Sequence, residues 1–368
     1  MEILQVATFY PPHLGGEELV AQQLAGMQAH RHDVTVYASR VGAAGAPRRE
    51  QHGRLRVVRD GARSLGNTPV TPRLLSRLIR HRPRPDIVHV HAGLAMTPEI
   101  VRLASWLRGI PYVVHLHLMV RASSRAGALL LPVYQRVLYA GFLRHAARVI
   151  CLTEAMRQVA ITTFGLRPER VVVVPNGVDI DVFAPVAPQR RAERELLFVG
   201  RLTAQKNVGL LVEVMAALPP DVCLRIAGDG ELREVLERRV AALGLANVRF
   251  EGRLSPDELS PLYQRATVVL MPSTHEGLPL VLLEAMAAGA PVVCSALPEL
   301  LEAGGDAVVA VAPLTPGKLA AVLLDLLADP ARRERLSHAA RRRAAGYGWT
   351  EVAARVDAVY AQITAERR

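Results

Sequence analysis

The sequence predicts an α/β protein of two domains, each built on a parallel sheet flanked by helices. Short runs of Val, Ile and Leu alternate with segments of helical periodicity, and this alternation occurs twice along the chain. The 368 residues, 50% hydrophobic and 21% charged, can fill two cores. Residues 176–195 lose this periodicity and gather proline and charge, as linkers do. We therefore expect two Rossmann-like domains whose parallel sheets face each other across a cleft.

The elements of the first domain follow from short apolar runs bounded by turn residues and from longer amphipathic segments. Strands are predicted at residues 3–8, 34–38, 55–59, 87–90, 112–116, 149–152 and 171–174, and helices at 18–29, 72–80, 98–108, 128–145 and 155–164. After the linker, strands are predicted at 196–199, 223–227, 248–251, 268–271, 292–294 and 308–311, with helices between them. A last helix, about 351–366, is expected to pack on the first domain. The predicted domains are thus 1–175, with a carboxy-terminal helix at about 350–368, and 176–349.

Composition disfavours several other classes of protein. The net charge is +11, but the arginines are scattered and aromatic residues make up only 4%, so nucleic-acid binding is not expected. No uncharged apolar run reaches about 18 residues, and the first residues lack the basic region of a signal peptide, which together predict a cytoplasmic protein. Cys151, Cys223 and Cys294 each stand alone in an apolar run and are expected to be reduced core thiols.

The segment EGLPLVLLEAM places two carboxylates, Glu276 and Glu284, eight positions apart around the start of an apolar helix. Pro279 suits the first helical position, so Glu276 is predicted in the loop after a strand at 267–271 and Glu284 about a turn and a half into the helix. A carboxylate can accept hydrogen bonds from two neighbouring hydroxyls, and a helix amino terminus can bind phosphate. The pattern therefore favours a polyhydroxylated, phosphorylated ligand.

Basic and glycine residues near other strand ends complete this pattern. Arg201 and Lys206, in GRLTAQKN, could neutralise a pyrophosphate, and Gly15 and Gly16, in FYPPHLGGEE, could bring backbone N–H groups near a phosphate. A plain tight turn is the alternative for the glycines. The chain lacks a complete G-x-G-x-x-G motif, so a nicotinamide or flavin dinucleotide site has little support. Cations for phosphates and carboxylates for hydroxyls match a nucleotide sugar.

In this order the motifs resemble the large retaining glycosyltransferase family with the GT-B fold and the E-x7-E motif, of the group 1 or family 4 type. The resemblance spans nearly the whole chain and rests on YPPHLGGEE, DIVHVHAG, PYVVHLH, VPNGVD, FVGRLTAQKN, AGDGEL, FEGRLS and PSTHEGLPLVLLEAMAAGAPVV. It implies retaining transfer of a sugar from a nucleoside diphosphate donor to a hydroxyl acceptor, usually without a metal. No cofactor beyond the donor itself is expected.

The resemblance also implies roles for individual residues. Arg201 and Lys206 would bind the diphosphate, Glu284 the ribose hydroxyls and Glu276 the transferred sugar. His117 matches the family's active-site histidine, beside the donor sugar, although His115 leaves some ambiguity. Backbone contacts to sugar, phosphate or base would come from Gly277, Leu278, Leu280, Val281, Arg253 and Leu254. Pro279 departs from the family's usual glycine and removes one N–H from the phosphate site.

Four histidines allow a competing prediction. His89 and His91, and then His115 and His117, are i, i+2 pairs at the ends of two strands that are expected to be neighbours. Four imidazoles could form a zinc site, although no carboxylate ligand or ordered second shell is evident nearby.

The substrates and the function class also have alternatives. UDP-glucose or UDP-N-acetylglucosamine is the expected donor, and the acceptor is a small molecule, a natural-product intermediate or a lipid-linked hydroxyl. The arginine-rich apolar segment 119–145 could lie on an anionic membrane, giving peripheral contact at its inner face, or could be a core-packed helix. A nucleotide-sugar epimerase and a non-catalytic nucleotide-sugar-binding protein are the alternative functions.

Overall fold

The computed structural model describes residues 1–13, 15–65, 68–91, 96–118, 131–184 and 194–367, with only the backbone at residues 64, 65 and 68. It contains two compact units. The amino-terminal unit comprises Met1–Asn176 together with Trp349–Arg368, and the carboxy-terminal unit comprises Gly177–Gly348. The predicted fold class is confirmed, since both units are α/β with parallel sheets.

The amino-terminal unit is built on an eight-stranded sheet with the order β10-β9-β8-β7-β1-β2-β4-β3. Its strands are β1 (Glu2–Val6), β2 (Asp33–Ser39), β3 (Arg49–His52), β4 (Leu55–Asp60), β7 (Ile87–His91), β8 (Tyr112–Leu116), β9 (Arg148–Cys151) and β10 (Val171–Val173). A separate antiparallel pair is formed by β5 (Arg63–Leu65) and β6 (Thr68–Val70). Every neighbouring pair in the large sheet is parallel except β3 with β4. The carboxyl ends of the parallel strands therefore lie along one edge.

Helices of this unit cover the sheet. They are α1 (Gly16–Ala29), α2 (Leu74–Arg80), α3 (Thr97–Arg108), a π-helical turn (Gln135–Tyr139) that continues into α4 (Ala140–His145), and α5 (Glu154–Phe164). Strands β7 and β8 are buried at every position, as expected for central parallel strands with helices on both faces. Part of the predicted helix 128–145, residues 128–130, lies outside the described residues.

The carboxy-terminal unit has a six-stranded, fully parallel sheet with the order β13-β12-β11-β14-β15-β16. Its strands are β11 (Glu195–Val199), β12 (Cys223–Ala227), β13 (Val248–Gly252), β14 (Val268–Met271), β15 (Val292–Ser295) and β16 (Val308–Val311). Its helices are α6 (Ile180–Phe183), α7 (Val208–Met215), α8 (Arg233–Ala242), α9 (Pro256–Arg265), α10 (Leu280–Ala287), α11 (Pro298–Gly304), α12 (Pro316–Ala328) and α13 (Pro330–Ala344). One apolar core joins the sheet to α7, α8 and α12.

The last helix, α14 (Trp349–Ala365), belongs to the amino-terminal unit and packs against α1. Its buried face includes Val356 and Tyr360, each fully buried.

The three cysteines predicted to be core thiols differ in burial. All three cysteines are free, and Cys151 and Cys294 are buried, but Cys223 is only half-buried, so its assignment to the core is wrong. Cys223 begins β12, where the side chain lies at the end of the strand.

Within the described residues, no helix combines the length and the apolar character that crossing a membrane requires.

Candidate functional site

The segment from Glu276 to Glu284 joins β14 to α10 in the carboxy-terminal unit. Pro279 has φ −71° and ψ 135°, an extended conformation, and α10 begins at Leu280. The prediction that Pro279 is the first helical residue is therefore wrong by one position, because proline here ends the loop as the helix N-cap. Glu284 consequently lies little more than one turn into the helix. Leu280 and Val281 occupy the first turn, where backbone N–H groups have no acceptor within the helix.

Glu276 forms an ion pair with Lys206. Oε1 of the carboxylate lies 2.5 Å from the Lys206 Nζ, and the two side chains are 6% and 15% exposed. Gln205 ties the two loops together, since its Nε2 donates to the carbonyl of His275 at 2.9 Å and its own carbonyl accepts from the N–H of Thr274. The structure thus brings two predicted site residues, 70 positions apart, into direct contact and fixes the loops that hold them.

Arg201 lies at the carboxyl end of β11, five residues before Lys206. Its side chain is exposed, and it has no ion-pair or hydrogen-bond partner among the residues that the structure describes. An exposed guanidinium without a counter-charge retains all its donors for a ligand. Arg201 and Lys206 therefore place two cations on one strand-end loop.

One glycine, Gly228, allows neighbouring strand-end loops to approach closely. Gly228 follows β12 with φ +139°, and a Cβ added there would lie 2.0 Å from the carbonyl oxygen of Gly200. The Gly228 N–H donates to the carbonyl of Gly252, at the end of β13, at 2.6 Å. The ends of β11, β12 and β13 are thus held together by backbone contacts that require glycine at position 228.

Arg253 and Leu254 follow β13 at the same edge. Arg253 is 65% exposed and its Nε lies 3.6 Å from Oδ2 of Asp229, which is a weak surface ion pair. Leu254 is half-buried. Their predicted role beside the base remains a prediction, and their position after a parallel strand is compatible with it.

Glu284 is held by a tyrosine from α9. The hydroxyl of Tyr263, a fully buried residue, donates to Glu284 Oε2 at 2.7 Å. Burial raises the pKa of Glu284 from its ordinary value of 4.5 to about 7, while the hydrogen bond from Tyr263 acts in the opposite direction. The carboxyl is therefore poised between its neutral and charged forms near neutral pH.

Both carboxylates share one feature. Lys206 holds Oε1 of Glu276, and Tyr263 holds Oε2 of Glu284. The remaining oxygen of each has no partner in the described part of the chain. Each carboxylate is thus oriented by the protein through one oxygen and has the other available to accept a hydrogen bond. Tyr263 was not predicted, because a tyrosine on a helix carries no motif, and only its regular spacing from the apolar residues of α9 indicates that it is buried.

The four histidines lie together in the amino-terminal unit. In the register of β7 and β8, His91 is opposite His115, and the period of two places His89 and His91 on one face. His91 Nδ1 lies 2.9 Å from His117 Nε2, and His115 Nδ1 lies 3.3 Å from His89 Nε2. His89 Nδ1 is also 2.5 Å from the hydroxyl of Tyr360 on α14. The predicted neighbourhood of the two strand ends is confirmed.

A metal ion is sterically compatible with part of this cluster. One ring nitrogen from each of His89, His91 and His115 lies within 4.8 Å of the others. Both nitrogens of His89 and of His91, however, already lie within hydrogen-bond distance of protein groups, and a metal ion would compete with those bonds. Zinc binding therefore stays an untested alternative.

Gly15 and Gly16 begin α1. Gly15 is the N-cap, in an extended conformation, and Gly16 is the first helical residue. The Glu18 carboxylate lies over Gly15, because a Cβ added to that glycine would be 2.1 Å from Glu18 Oε2. Glu18 also pairs with His13 at 2.8 Å. A phosphate contact at these glycines stays a prediction, and the neighbouring carboxylate disfavours it.

Comparison with known proteins places this architecture. The chain matches the models for Glycosyltransferase Family 4 over residues 14–182 and Glycosyl transferases group 1 over residues 181–343. A D-inositol 3-phosphate glycosyltransferase from Kineococcus radiotolerans is 33% identical over 334 residues, covering 81% of this chain and 76% of that protein. A glycogen synthase from Mycobacterium tuberculosis is 34% identical over 291 residues, covering 75% and 69%.

A solved structure shows the same fold. The crystal structure of Anabaena HepE in complex with UDP-glucose matches with a TM-score of 0.79 at 21% identity, over 98% of this chain and 100% of that one. Together with the level of identity to the curated relatives, these matches show that the chain belongs to the group 1 glycosyltransferases, with an amino-terminal domain of the family 4 type.

Proposed function

We propose that the chain transfers a sugar from a nucleoside diphosphate sugar to a hydroxyl group, with retention of configuration at the anomeric carbon. The observation that carries the proposal is the charge arrangement of the carboxy-terminal unit: Arg201 and Lys206 follow one strand, and Glu276 and Glu284 flank one helix start. Cations suit phosphates, and oriented carboxylates suit sugar hydroxyls. UDP-glucose and UDP-N-acetylglucosamine are the first candidate donors, and HepE, of the same fold, is seen with UDP-glucose.

The diphosphate is assigned to the cations and to the start of α10. Arg201 supplies a guanidinium that has no counter-charge among the described residues, and Lys206 supplies an ammonium fixed by Glu276. The N–H groups of Leu280 and Val281, at the helix start, add fixed partial positive charge. As the bond between the anomeric carbon and the phosphate oxygen breaks, these groups stabilise the negative charge on the departing diphosphate.

The hydroxyls are assigned to the two carboxylates. Glu284 Oε1 accepts from the ribose, because Oε2 is already held by Tyr263. Glu276 Oε2 accepts from the transferred sugar, because Oε1 is held by Lys206. Each carboxylate thus enters the site in an orientation that the protein has already fixed, which lowers the entropic cost of binding.

Retention requires the acceptor to attack the face from which the diphosphate leaves. In this scheme the acceptor oxygen forms the new bond to the anomeric carbon as the bond to phosphate breaks. The departing phosphate oxygen takes the proton of the acceptor hydroxyl. This route needs no enzyme nucleophile, and a glycosyl-enzyme adduct detected by mass spectrometry would contradict it.

The acceptor is a hydroxyl of a small molecule, a natural product or a lipid-linked compound. For a lipid-linked acceptor, the supporting observation is a surface of the amino-terminal unit where Trp106 (76% exposed) and Leu138 (49% exposed) line the same open cavity as Arg102 and Arg148. Exposed apolar side chains beside arginines suit an anionic bilayer. The expected peripheral contact at the inner face of a membrane would use this surface.

Vesicle binding tests the lipid-linked version. Anionic phospholipid vesicles should bind the protein at low salt and release it at high salt. Trp106→Ser should weaken binding severalfold, whereas Val235→Ser, an exposed apolar residue of α8 in the other unit, should not. Equal binding by wild type and Trp106→Ser would favour a soluble acceptor.

Donor binding and turnover test the proposal as a whole. Thermal unfolding should be measured with UDP, GDP, ADP and dTDP and with their common sugar conjugates, since a ligand of the folded state raises the melting temperature. The shift should be lost in Glu284→Gln and kept in Glu234→Gln, where the original carboxylate is 86% exposed on α8. Free nucleotide released only when acceptor is present distinguishes a transferase from an epimerase or a non-catalytic binder. NMR of the product would report the anomeric configuration, and inversion would refute the retaining mechanism.

A further inference from the structure

A continuous series of hydrogen-bonded side chains crosses the amino-terminal unit from His117 to α14. His117 Nε2 is 2.9 Å from His91 Nδ1, and His91 Nε2 is 3.2 Å from Gln5 Oε1. Gln5 Nε2 donates to Gln28 Oε1 at 3.0 Å, and Gln28 Nε2 donates to Asp357 Oδ1 at 2.9 Å. We call these five residues the relay. Its three central members are fully buried, so water does not compete for their bonds.

The carboxylate of Asp357 determines the direction of every bond in the relay. A carboxylate only accepts, and its other oxygen, Oδ2, already faces His32 Nε2 at 3.3 Å. Gln28 must therefore present its NH₂ group to Asp357 and its carbonyl oxygen to Gln5. Gln5 must in turn present NH₂ to Gln28 and its oxygen to His91. An oxygen facing His91 Nε2 requires a proton on that nitrogen.

The same reasoning fixes the tautomers of both histidines. Burial lowers the pKa of His91 well below its ordinary value and that of His117 to about 3, so both imidazoles are neutral at pH 7. Neutral His91 with a proton on Nε2 has a lone pair on Nδ1. That lone pair requires His117 to donate from Nε2, which leaves a lone pair on His117 Nδ1.

His117 Nδ1 is buried and has no hydrogen-bond partner among the described residues. A buried lone pair of this kind is costly unless a ligand supplies a donor. Sugar hydroxyls are such donors. His117 Nδ1, at the end of the relay, can therefore accept a hydrogen bond from one hydroxyl group of a ligand.

We propose that Asp357 is a positioning residue, which acts through Gln28, Gln5 and His91 to hold His117 in the Nε2–H tautomer so that Nδ1 accepts a hydrogen bond from a sugar hydroxyl of the substrate. This inference rests on the proposed function and adds to it the direction of one hydrogen bond, from the substrate hydroxyl to His117 Nδ1. A hydroxyl that donates carries more negative charge on its oxygen. That charge favours the positive charge that develops at the anomeric carbon during transfer.

The direction of this hydrogen bond predicts how fast the protein transfers different substrate analogues. A sugar in which fluorine replaces the contacted hydroxyl cannot donate to Nδ1, although its size is similar. Transfer from that analogue should be slowed at least tenfold more in wild type than in a variant whose His117 carries its proton on Nδ1.

The tautomer can be measured without any assay of activity. Nitrogen-15 NMR distinguishes protonated from unprotonated ring nitrogens, and His117→Gln identifies the His117 signals. In wild type we expect the proton of His117 on Nε2. In Asp357→Asn the new carboxamide can donate to Gln28, every bond of the relay can reverse, and a substantial fraction of His117 should carry its proton on Nδ1.

Two further variants complete the measurement. Glu351→Gln makes the same chemical change on the same helix, at an exposed carboxylate that pairs with Arg355 at 2.7 Å, and it should keep the wild-type tautomer. Gln28→Met is similar in size and interrupts the relay one bond away from Asp357. This variant should also allow His117 to carry its proton on Nδ1, and it tests the inference if Asp357→Asn does not fold.

The results separate this inference from the proposed function. A proton on His117 Nδ1 in wild type, or an unchanged tautomer in both Asp357→Asn and Gln28→Met, would overturn the relay whatever the activity. If no donor and acceptor support transfer, the proposed function fails while the tautomer measurement remains valid. With an active wild type, Asp357→Asn should lower kcat about tenfold or more with little change in the donor KM. An unchanged kcat alongside a changed tautomer would refute the catalytic consequence.

Discussion

Replacing Glu284 by Gln tests how burial controls the carboxyl group assigned to the ribose. Burial raises the pKa of Glu284 from 4.5 to about 7, so the folded protein binds this proton more tightly than the unfolded chain does. The stabilisation from proton binding is fully present below pH 4.5 and is lost as the pH rises through about 7. At about 1.4 kcal/mol per pH unit the loss is about 3 kcal/mol, and partial hydration of this half-buried residue reduces it to about 2 kcal/mol.

Glutamine removes the titration but keeps the shape, and its amide oxygen can still accept the hydrogen bond from Tyr263. The free energy of unfolding should be measured by urea titration between pH 5 and pH 8 in both proteins. Over this range the stability of Glu284→Gln relative to wild type should increase by about 2 kcal/mol. The exposed control Glu234→Gln should show no comparable change. If wild type and Glu284→Gln depend on pH in the same way, the carboxyl is ionised throughout, and the reasoning from burial is refuted.

Two further predictions concern the strand-end loops. Lys206→Met should lower turnover ten- to a thousandfold and destabilise the fold by about 3 kcal/mol, because it leaves Glu276 buried without its cation. Adding Glu276→Gln to this variant should restore most of the stability, measured by urea titration, but not the turnover. Additive losses of stability in the two single variants would contradict the pairing. Gly228→Ala should cost more than about 2 kcal/mol or prevent folding, because its Cβ would meet a carbonyl oxygen at 2.0 Å with φ +139°. Gly209→Ala, in a helix with no atom within 4 Å of the added Cβ, should be neutral or stabilising, and similar losses in the two variants would refute the close approach.

Most of the sheet could be predicted because buried parallel strands are short apolar runs. The predicted ends of β8, β12, β14 and β16 agree with the structure. In contrast, β3 (Arg49–His52) was not predicted. Its sequence REQH has no apolar alternation, and it forms a strand through antiparallel pairing with β4 at the sheet edge. Such pairing depends on the neighbour rather than on the strand's own residues.

The residues of the candidate site in the carboxy-terminal unit could be predicted as a group, but their contacts could not. Carboxyl ends of parallel strands share one edge, so the loops after the neighbouring strands β11 and β14 lie at the same edge of the sheet. The direct bond between Lys206 and Glu276 depends on how Gln205 ties those loops together, and no local pattern specifies that contact. The relay was even less accessible, since Gln5, Gln28 and Asp357 lie on three distant elements and carry no motif.

The carboxylates of Glu276 and Glu284 differ in a way that follows from packing alone. Glu276 lies in a loop beside an ammonium group, and Lys206 supplies a full positive charge at 2.5 Å. Glu284 lies on a helix packed against α9, and the group that reaches it, Tyr263, supplies only a neutral hydroxyl. A neutral donor offsets less of the desolvation cost of a carboxylate than a cation does, which is why burial dominates the pKa of Glu284. The negative charge of Glu276 is therefore compensated by Lys206. The charge of Glu284, eight residues further along the chain, depends on pH and, in the proposed function, on the hydroxyls of its ligand.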